Sequence, residues 1–521
     1  MRHGRWTAAL VAALGAAFGA QAAGCFSTPP DCELGICEDT VPSGSGGSGG
    51  GTPPGCVPSE NAEPVGDECG VFVSSSQGDD ANEGTKERPV KTLGAALAKG
   101  AGEGKPVYAC AETFSEAAIV EVGIDLFGGL ECAEGWQYGG GSVKTTLTAG
   151  AGEIPLTLAA GASGAQVADF VIEAADAMAD GGSSIAVVVD GASAAFARCD
   201  VTAGNGAAGK QGETPSDPVG PTAPDDTAIK GNDGGAACSD AVEVNGGLSK
   251  ENEFCPSGAG GPLGGAGGDG TVNNGGSGEA QTANAQTAQG GAGQPASDPM
   301  NMWSCATGGG VTGSNGAPGE VGTGASDELS LGNLSIAGYS GVAGQPGGPA
   351  APGQGGGGGG GAKGKTLCAG GSGGGGGTGG CGGKGGLGGQ AGGASIGIVS
   401  LGATLSFEAV TIRTGQGGEG GEGGDGQGGG VGGNGGNGGQ GDANAPATLK
   451  ACNGGAGGQG GTGGKGGGGR GGHSIGIAHT GAAPALDGAT IETGEPGGGG
   501  IGADAQHDGA AGVKTDVQVF P

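Results

Sequence analysis

The sequence predicts an all-β protein in which short parallel strands stack as a β-solenoid and long glycine-rich inserts interrupt the stack. The stretch 184–204 recurs without gaps at 395–415 and 474–494, and such a repeat is typical of stacked structures. Glycine accounts for 143 of the 521 residues and is concentrated between these copies. Only 34% of the residues are hydrophobic and 3% aromatic, which is too few for one conventional core along the whole chain.

The repeat contains a short apolar strand, a glycine turn and two further apolar positions before its final glycine. In the order of the copies, these positions are Ile185, Phe196, Val201 and Gly204, then Ile396, Phe407, Ile412 and Gly415, then Ile475, Leu486, Ile491 and Gly494. One copy has too few strands to bury its apolar side alone. Stacking solves this problem, because each strand then pairs in parallel with the equivalent strand of the next copy. A weaker copy begins at Leu156.

The N-terminal part of the solenoid is expected to start at Asp67 and to include a capping helix. Leu93, Ala96 and Leu97 recur at helical spacing and predict a short helix that ends at Gly100. The same part of the chain has a short apolar run at residues 71–73 and predicts three short strands separated by tight turns, at residues 107–109, 119–122 and 123–130.

The capping region also contains a recognisable motif. Residues 78–85 are Gly-Asp-Asp-Ala-Asn-Glu-Gly-Thr, and Val107-Tyr108 and Thr113-Phe114-Ser115-Glu116 follow. This order resembles the opening turn of bacterial right-handed parallel β-helix proteins of the pectin-lyase-like superfamily, which has a G-x-D-x-N-x-G-T turn, a capping helix and a V-Y-V…G-T-Y-x-E strand pair. The resemblance implies a right-handed coil. The chain departs from the pattern at Ala111-Glu112 and at Phe114.

The glycine-rich inserts, residues 205–394 and 416–473, follow a Gly-Gly-x rhythm. Three residues is the period of the polyproline II helix, which glycine can adopt and which can bundle side by side through backbone contacts. The composition is equally compatible with a disordered loop. The inserts are therefore either polyglycine-II bundles or disordered. They also resemble the polymorphic glycine-rich (PGRS-like) repeats of some bacterial surface proteins.

The N-terminus has the features of a secretory signal peptide over residues 1–24, since Arg2 and Arg5 precede a short apolar stretch. Ala22-Ala23-Gly24-Cys25 resembles a bacterial lipobox, although lipoboxes usually have Leu where Ala22 stands. The motif predicts lipidation of Cys25 and an outer-membrane or cell-surface location. Cleavage after Ala22 would instead give a freely extracellular protein.

The predicted organisation has seven parts. They are a signal peptide (1–24), a Gly/Ser/Pro linker (25–66), the cap and first solenoid turns (67–204), an insert (205–394), one solenoid turn (395–415), a second insert (416–473) and a last turn with the C-terminal tail (474–521).

The fourteen cysteines of an exported chain predict disulfides. Connectivity does not follow from sequence, but the shortest loops would be closed by the pairs Cys32/Cys37, Cys56/Cys69, Cys110/Cys132, Cys238/Cys255 and Cys368/Cys381. If Cys25 carries lipid, an odd number of cysteines remains, so either one thiol stays free or Cys25 is instead a disulfide partner. No C-x-x-C pair occurs and the chain has four histidines, so the sequence predicts no metal site of the zinc type.

The charge and the absence of catalytic motifs limit the possible functions. A formal charge of −32 argues against a nucleic-acid partner. The acidic turn formed by Asp79, Asp80, Asn82 and Glu83 could bind calcium, and the simpler alternative is a turn stabilised by side-chain hydrogen bonds. No cofactor is predicted.

The carbohydrate-cleaving members of the superfamily use clustered carboxylates with Arg or Lys, or paired Asp residues with G-H-G and R-x-K motifs. This chain has neither motif, so the sequence predicts a protein that is not an enzyme. The expected function is a surface scaffold for adhesion or extracellular interaction, with an unknown polysaccharide or protein as partner and membrane contact only through the lipid. The alternatives are a carbohydrate-active or carbohydrate-binding protein and an ice-binding protein.

Overall fold

The computed structural model describes residues 52–53, 55–255, 262–283, 286–298, 302–325, 331–442 and 449–521. These residues belong to one compact unit. The regular structure is mostly β, with parallel sheets and two helices, α1 (Leu93–Glu103) and α2 (Cys305–Gly308). This confirms the prediction of a mostly β fold with parallel strands. No helix in the described part of the chain is long and apolar enough to cross a membrane.

The strands fall into three groups along the chain. The first group is β1 (Val71–Val73), β2 (Val107–Cys110), β3 (Thr113–Ser115), β4 (Ala118–Val120), β5 (Leu126–Glu131), β6 (Gln137–Tyr138), β7 (Thr145–Ala149), β8 (Leu156–Leu158), β9 (Ala165–Ala168), β10 (Phe170–Ala174), β11 (Ser184–Asp190), β12 (Ser193–Ala197) and β13 (Asp200–Ala203). The second group forms three antiparallel pairs: β14 (Glu243–Val244) with β15 (Gly270–Thr271), β16 (Gln281–Ala283) with β17 (Gln286–Ala288), and β18 (Asn333–Ser335) with β19 (Gly338–Ser340). The third group is β20 (Ser395–Leu401), β21 (Thr404–Glu408), β22 (Val410–Thr414), β23 (Ser474–Thr480), β24 (Ala489–Glu492) and β25 (Lys514–Val519).

Three parallel sheets contain the first and third groups. The first sheet has the order β1-β2-β5-β9-β12-β21, with β6 antiparallel to β5; the second is β3-β7-β10-β13-β22-β24; the third is β4-β8-β11-β20-β23-β25. From β9 to β23 the chain visits the first, second and third sheets in rotation, apart from the strands of the second group. Each sheet is therefore built from strands that are far apart in sequence.

The register of the sheets follows the sequence repeat. Ile185 pairs with Ile396, which in turn pairs with Ile475. Phe196 pairs with Phe407 in the first sheet. These pairs confirm the predicted alignment of the copies.

The sheets are not stacked as a single helix, and here the predicted continuous β-helix is incomplete. Long glycine-rich segments leave and return between β13 and β20 and between β22 and β23. The third copy of the repeat also lacks its strand in the first sheet: Leu486, expected to be inward, is 38% exposed and belongs to no strand.

One apolar core lies between the three sheets. The third sheet contributes Val187, Ile398 and Ile477, which pair in register and are fully buried. Phe196 and Phe407 stack from the first sheet, with ring centroids 6.1 Å apart. Equivalent residues of successive strands thus form continuous inward columns.

A left-handed residue turns the chain from the first sheet into the second. Asp169, Arg198 and Ala409 have φ values of 62°, 52° and 51° and directly follow β9, β12 and β21. Such a backbone is costly for residues other than glycine. At two of these turns an ion pair helps to offset the cost, because the Arg198 guanidinium donates to both carboxylate oxygens of buried Asp169 at 2.8 Å.

The capping helix α1 is longer than predicted. It continues past Gly100, which is buried against the core, and ends at Gly104 with φ 64°. Residues 56–66, assigned to the linker, also pack on the fold, since Val65 is only 3% exposed. The packed region therefore begins before Asp67.

The glycine-rich residues between β13 and β20, between β22 and β23 and between β24 and β25 form what we call the glycine bundle. Most of these residues belong to no helix or strand, but their backbones are hydrogen-bonded with a period of three. The N–H groups of Gly418, Gly421 and Gly424 donate to the carbonyls of Gly393, Gln390 and Leu387, each at 2.8 Å. Donor numbers rise while acceptor numbers fall, so these two segments run antiparallel.

Consecutive residues of one bundle segment bond to different neighbours. The N–H groups of Gly374, Gly375 and Gly376 donate to the carbonyls of Cys452, Asn232 and Gly265, at 3.0, 2.8 and 2.7 Å. The N–H groups of three successive residues thus point in three different directions, as they do in an extended helix with three residues per turn. These hydrogen bonds match the ordered alternative of the prediction.

The close approach of the segments explains the Gly-Gly-x rhythm. A Cβ added to Gly376 would lie 1.9 Å from the carbonyl oxygen of Gly356, and one added to Gly377 would lie 1.9 Å from that of Gly433. No side chain fits at such distances. The third position of the triplet has room, and Thr378 and Cys381 occupy it in this segment.

Candidate functional site

The acidic turn predicted to bind calcium or to stabilise itself lies beside the N-terminus of α1. Asp80 accepts hydrogen bonds from the N–H groups of Lys91 and Thr92, at 2.9 and 2.8 Å. Partial burial raises the pKa of Asp80, but these hydrogen bonds outweigh it, so its pKa lies below the usual value. Asp79 accepts from the N–H of Ala81 within the turn.

The remaining polar groups of this turn also have partners within the chain. Asn82 donates to the carbonyl of Pro89 at 2.9 Å, and Glu83 forms an ion pair with Arg88 at 3.0 Å. These contacts are those that a self-stabilised turn requires. In the part of the chain that the structure describes, no group of three or more His, Cys, Asp or Glu side chains is placed to hold a metal ion.

Five disulfides are formed among the described residues, and they correct part of the predicted pairing. Cys56–Cys69 and Cys110–Cys132 are as predicted. The pairs Cys238/Cys255 and Cys368/Cys381 are wrong: the bonds are Cys238–Cys368, Cys255–Cys381 and Cys305–Cys452. Cys25, Cys32 and Cys37 lie outside the described residues.

The physical reason for this error is the folding of the glycine bundle. Its segments place residues side by side that are 126 to 147 positions apart in sequence, as in the three corrected disulfides. A short separation in sequence therefore does not predict which cysteines of the bundle are paired. Cys199 remains a free, buried thiol, and burial raises its pKa to about 12, so it stays protonated at neutral pH.

A buried histidine joins the glycine bundle to the third sheet. The Nδ1 atom of His473 accepts from the N–H of Val513 at 2.9 Å, so its Nε2 donates to the carbonyl of Leu331 at 2.8 Å. The ring packs edge-on against Tyr339 and Phe520. Burial lowers the pKa of His473 to about 4, helped by the nearby charge of Arg470. His473 is thus a neutral structural group at neutral pH.

The outer faces of the first and third sheets are partly covered by other parts of the chain. On the first sheet, Phe72, Tyr108 and Phe127 form a stack, and Trp136 packs edge-on against Phe72. On the third sheet, Val188, Val399 and their neighbours pack against Leu334 and Tyr339 of the β18–β19 pair and against Phe520.

The outer face of the second sheet differs from both. Its side chains alternate with buried inward residues such as Phe114 and Leu147, and none of them is buried. We call this surface the polar face; it consists of Thr113, Ser115, Thr146, Thr148, Val171, Glu173, Asp200, Thr202, Thr411, Arg413, Thr490 and Glu492.

The side chains of the polar face are mostly polar and are regularly arranged. Its residues form two in-register rows across six strands, and at about 4.8 Å per strand the rows are about 24 Å long. Two ion pairs lie at its edges or within it, Lys144–Asp200 at 2.6 Å and Arg413–Glu492 at 2.9 Å. A surface of this kind offers hydroxyl and carboxylate groups at fixed spacing to a partner.

This surface was not predicted from the sequence. The alternation of Thr or Ser with buried apolar residues in β3 and β7 was a usable signal, but it does not reveal which sheet face stays uncovered. That depends on where residues distant in sequence, such as Tyr339 and Phe520, pack.

Comparisons with models of known protein families, with curated proteins and with solved structures found no match to this chain. The likeness to pectin-lyase-like proteins and to PGRS repeats therefore rests on the residues quoted above.

Proposed function

We propose that this protein is an exported, non-catalytic scaffold that binds an extracellular polysaccharide or protein through the polar face of its second sheet. The observation that supports this proposal is the difference between the sheets. The outer faces of the other two are covered in part by packed aromatic and aliphatic side chains. The polar face has no buried side chain over six strands, so it is available to a partner.

We also propose a parallel β-solenoid for the three-sheet region and a polyglycine-II structure for the glycine bundle. The rotation of the chain through the sheets and the in-register pairs support the first. The period-three backbone hydrogen bonds support the second. Such a rigid double scaffold suits a protein that holds a binding face at a fixed distance from its anchor.

Export is supported by the disulfides, since such bonds persist in oxidising compartments. The count of cysteines also favours a lipid on Cys25. Of the fourteen, ten are bonded and Cys199 is free, which leaves Cys25, Cys32 and Cys37. If Cys32 pairs with Cys37, the thiol of Cys25 is left for modification.

The binding proposal is tested with the double variant Thr148→Arg/Thr202→Arg. Both residues lie on the polar face, and neither touches the inward columns. Retention on immobilised xylan, pectin, alginate and peptidoglycan and on whole cells is compared with that of the unmodified protein. We expect the double variant to lose whatever retention the unmodified protein shows. The matched control, Glu121→Arg at another exposed position, keeps it.

Two outcomes would contradict this proposal. If the double variant is retained as well as the unmodified protein, the binding surface lies outside the polar face. Release of sugar from an acidic polysaccharide by the purified protein would favour the carbohydrate-active alternative. The anchor is tested separately, by intact mass and palmitate labelling of the processed protein, with Cys25→Ser as the control that should lack label.

A further inference from the structure

The glycine bundle contains a groove that the described residues fill only in part. Its two walls are segments 416–440 and 451–472, which run antiparallel, as shown by hydrogen bonds such as Gly466 N–H to Gly424 O at 2.8 Å. Segment 494–501 lies in one end of this groove. It accepts hydrogen bonds from the first wall and donates to the second.

The contacts of segment 494–501 define what the groove binds. On the first wall, the N–H groups of Gly417, Gly420 and Gly423 donate to the carbonyls of Glu495, Gly498 and Ile501, each at 2.9 Å. On the second wall, the carbonyls of Gly472 and Gly469 accept from Gly497 and Gly500, at 2.9 and 2.8 Å. Donors on one wall and acceptors on the other therefore recur every three residues.

Both rows continue beyond Ile501, where the filling segment ends. Gly502 donates instead to the carboxylate of Asp508, and the chain turns back. The next four donors of the first wall are Gly426, Gly429, Gly432 and Gly435, and the next four acceptors of the second wall are Gly466, Gly463, Gly460 and Gly457. Among the described residues, none of these four N–H groups has an acceptor and none of these four carbonyls has an N–H donor.

The unfilled part is polar backbone with little side chain over it. The four donor glycines are partly exposed, whereas Gly460, Gly463 and Gly466 are buried. Unpaired backbone groups in such positions cost free energy, which a suitable partner would recover. Lys465 reaches Asp425 across the groove at 3.8 Å, and the Nε2 of Gln459 lies 3.5 Å from the carbonyl of Gly429. Both side chains are long and can turn towards solvent.

The groove also restricts the sequence of its occupant. A Cβ at Gly497 would lie 1.9 Å from the carbonyl of Gly418, and one at Gly500 would lie 1.9 Å from that of Gly421. Any segment that continues this row must therefore have glycine at every third residue at least. It must also be extended with three residues per turn, because the spacing of donors and acceptors is fixed.

We propose that the unfilled groove is a docking site for an extended glycine-rich segment of a partner protein. The partner segment would continue segment 494–501 in the bundle, in the way that a peptide adds a strand to a sheet edge. From Gly426 to Gly435 the groove is about 28 Å long at about 3.1 Å per residue, so a segment of about ten to twelve residues fits. This inference does not depend on the polar face or on the lipid anchor.

The experiment uses the purified full chain and a labelled Gly-Gly-Asn repeat peptide of about twelve residues. Fluorescence anisotropy should show saturable binding. An Ala-Ala-Asn repeat of the same length has no glycine in any register and should bind at least about tenfold more weakly, because a Cβ atom then meets the first wall at every third residue. Amide hydrogen exchange should slow at Gly426, Gly429, Gly432 and Gly435 in the presence of the first peptide.

Two variants keep the test specific to the groove. Thr462→Trp puts a large side chain on the exposed ridge between Gln459 and Lys465, and should weaken peptide binding at least about tenfold. Leu248→Trp places the same side chain at a 73% exposed position of the bundle, on a segment that bonds to Gly373 and Asn232 and to neither wall, and should leave binding unchanged.

Three results would overturn the proposal: equal binding of the two peptides, equal binding of the two variants, and slowed exchange at sites outside the groove. Self-association of the chain with protection of the same four amides, measured without peptide, would assign the groove to a second copy instead. Analytical ultracentrifugation at several concentrations measures that outcome.

Discussion

The three-sheet region and the glycine bundle are two ways of stabilising a fold in one chain. The sheets bury columns such as Val187, Ile398 and Ile477, so their stability comes largely from apolar surface removed from water. The bundle buries few large apolar side chains, such as Ile229 and Leu449. Its segments are joined by backbone hydrogen bonds at every third residue and by three disulfides.

The difference shows that glycine content alone does not imply disorder. A glycine chain loses much conformational entropy on folding. In the bundle this loss is offset because successive residues such as Gly374, Gly375 and Gly376 each bond to a different segment. The disulfides reduce the entropy of the unfolded chain further. Removal of a side chain should therefore be costly in the sheets, and addition of one should be costly in the bundle.

The largest expected effect is in the sheets. Phe196 is 1% exposed and stacks on Phe407, so Phe196→Ala should leave a cavity. We expect the free energy of unfolding to fall by about 3–5 kcal/mol, measured by denaturant titration. Hydrogen exchange should accelerate first in β12 and its neighbours.

The matched control is a phenylalanine of the glycine bundle. Phe254 is 55% exposed, and Phe254→Ala should change stability by less than about 0.5 kcal/mol. A similar loss in both variants would mean that the bundle also depends on side-chain burial, and the contrast between the regions would not hold.

The next effect is at the junction of the two regions, where His473 is fully buried. Its pKa is about 4 in the folded protein, below the ordinary value of 6.5, so the unfolded chain binds the proton more tightly. Stability is therefore complete above about pH 6.5 and falls as the pH drops towards 4. The expected loss from this group is about 3 kcal/mol.

The contribution of His473 is isolated by comparison with His473→Gln. The variant should be less stable at pH 7, because at least one of the hydrogen bonds to Leu331 and Val513 is lost. Its stability should depend less on pH between 6.5 and 4 than that of the unmodified protein. Parallel pH curves for the two proteins would show that other groups control the acid transition.

The sequence predicted the sheets far better than the bundle, and the reason is physical. Ile185, Ile396 and Ile475 differ from their surroundings, so each has one register in which all inward positions match. In the bundle, neighbouring triplets are nearly identical. Nothing in the sequence distinguishes Gly377 from Gly380 as the hydrogen-bond acceptor of Gly356. In the structure, the N–H of Gly356 donates to the carbonyl of Gly377.

The polar face and the docking groove also differ in how far the sequence could predict them. The alternation of Phe114 with Thr113 and Ser115 indicates an outward polar row, but the cover on the other sheets comes from Tyr339 and Phe520, far away in sequence. The docking groove was not predictable, because it depends on where segment 494–501 ends relative to two segments that precede it.

The smallest predicted effect tests the bundle itself. Gly377→Ala adds a methyl group 1.9 Å from the carbonyl oxygen of Gly433, so the two segments must move apart and their hydrogen bonds must lengthen. We expect a loss of about 2 kcal/mol in unfolding free energy, together with faster amide exchange at Gly433, whose N–H donates to the carbonyl of Thr378. Gly428→Ala is the matched control, since a Cβ there meets nothing within 4 Å, and it should be neutral or slightly stabilising by about 0.5 kcal/mol. Because alanine restricts the unfolded chain equally at both positions, the difference between the variants measures the contact alone. If the two behave alike, the segments are not held at the distances that make glycine necessary, and the period-three hydrogen bonds cannot be what stabilises the bundle.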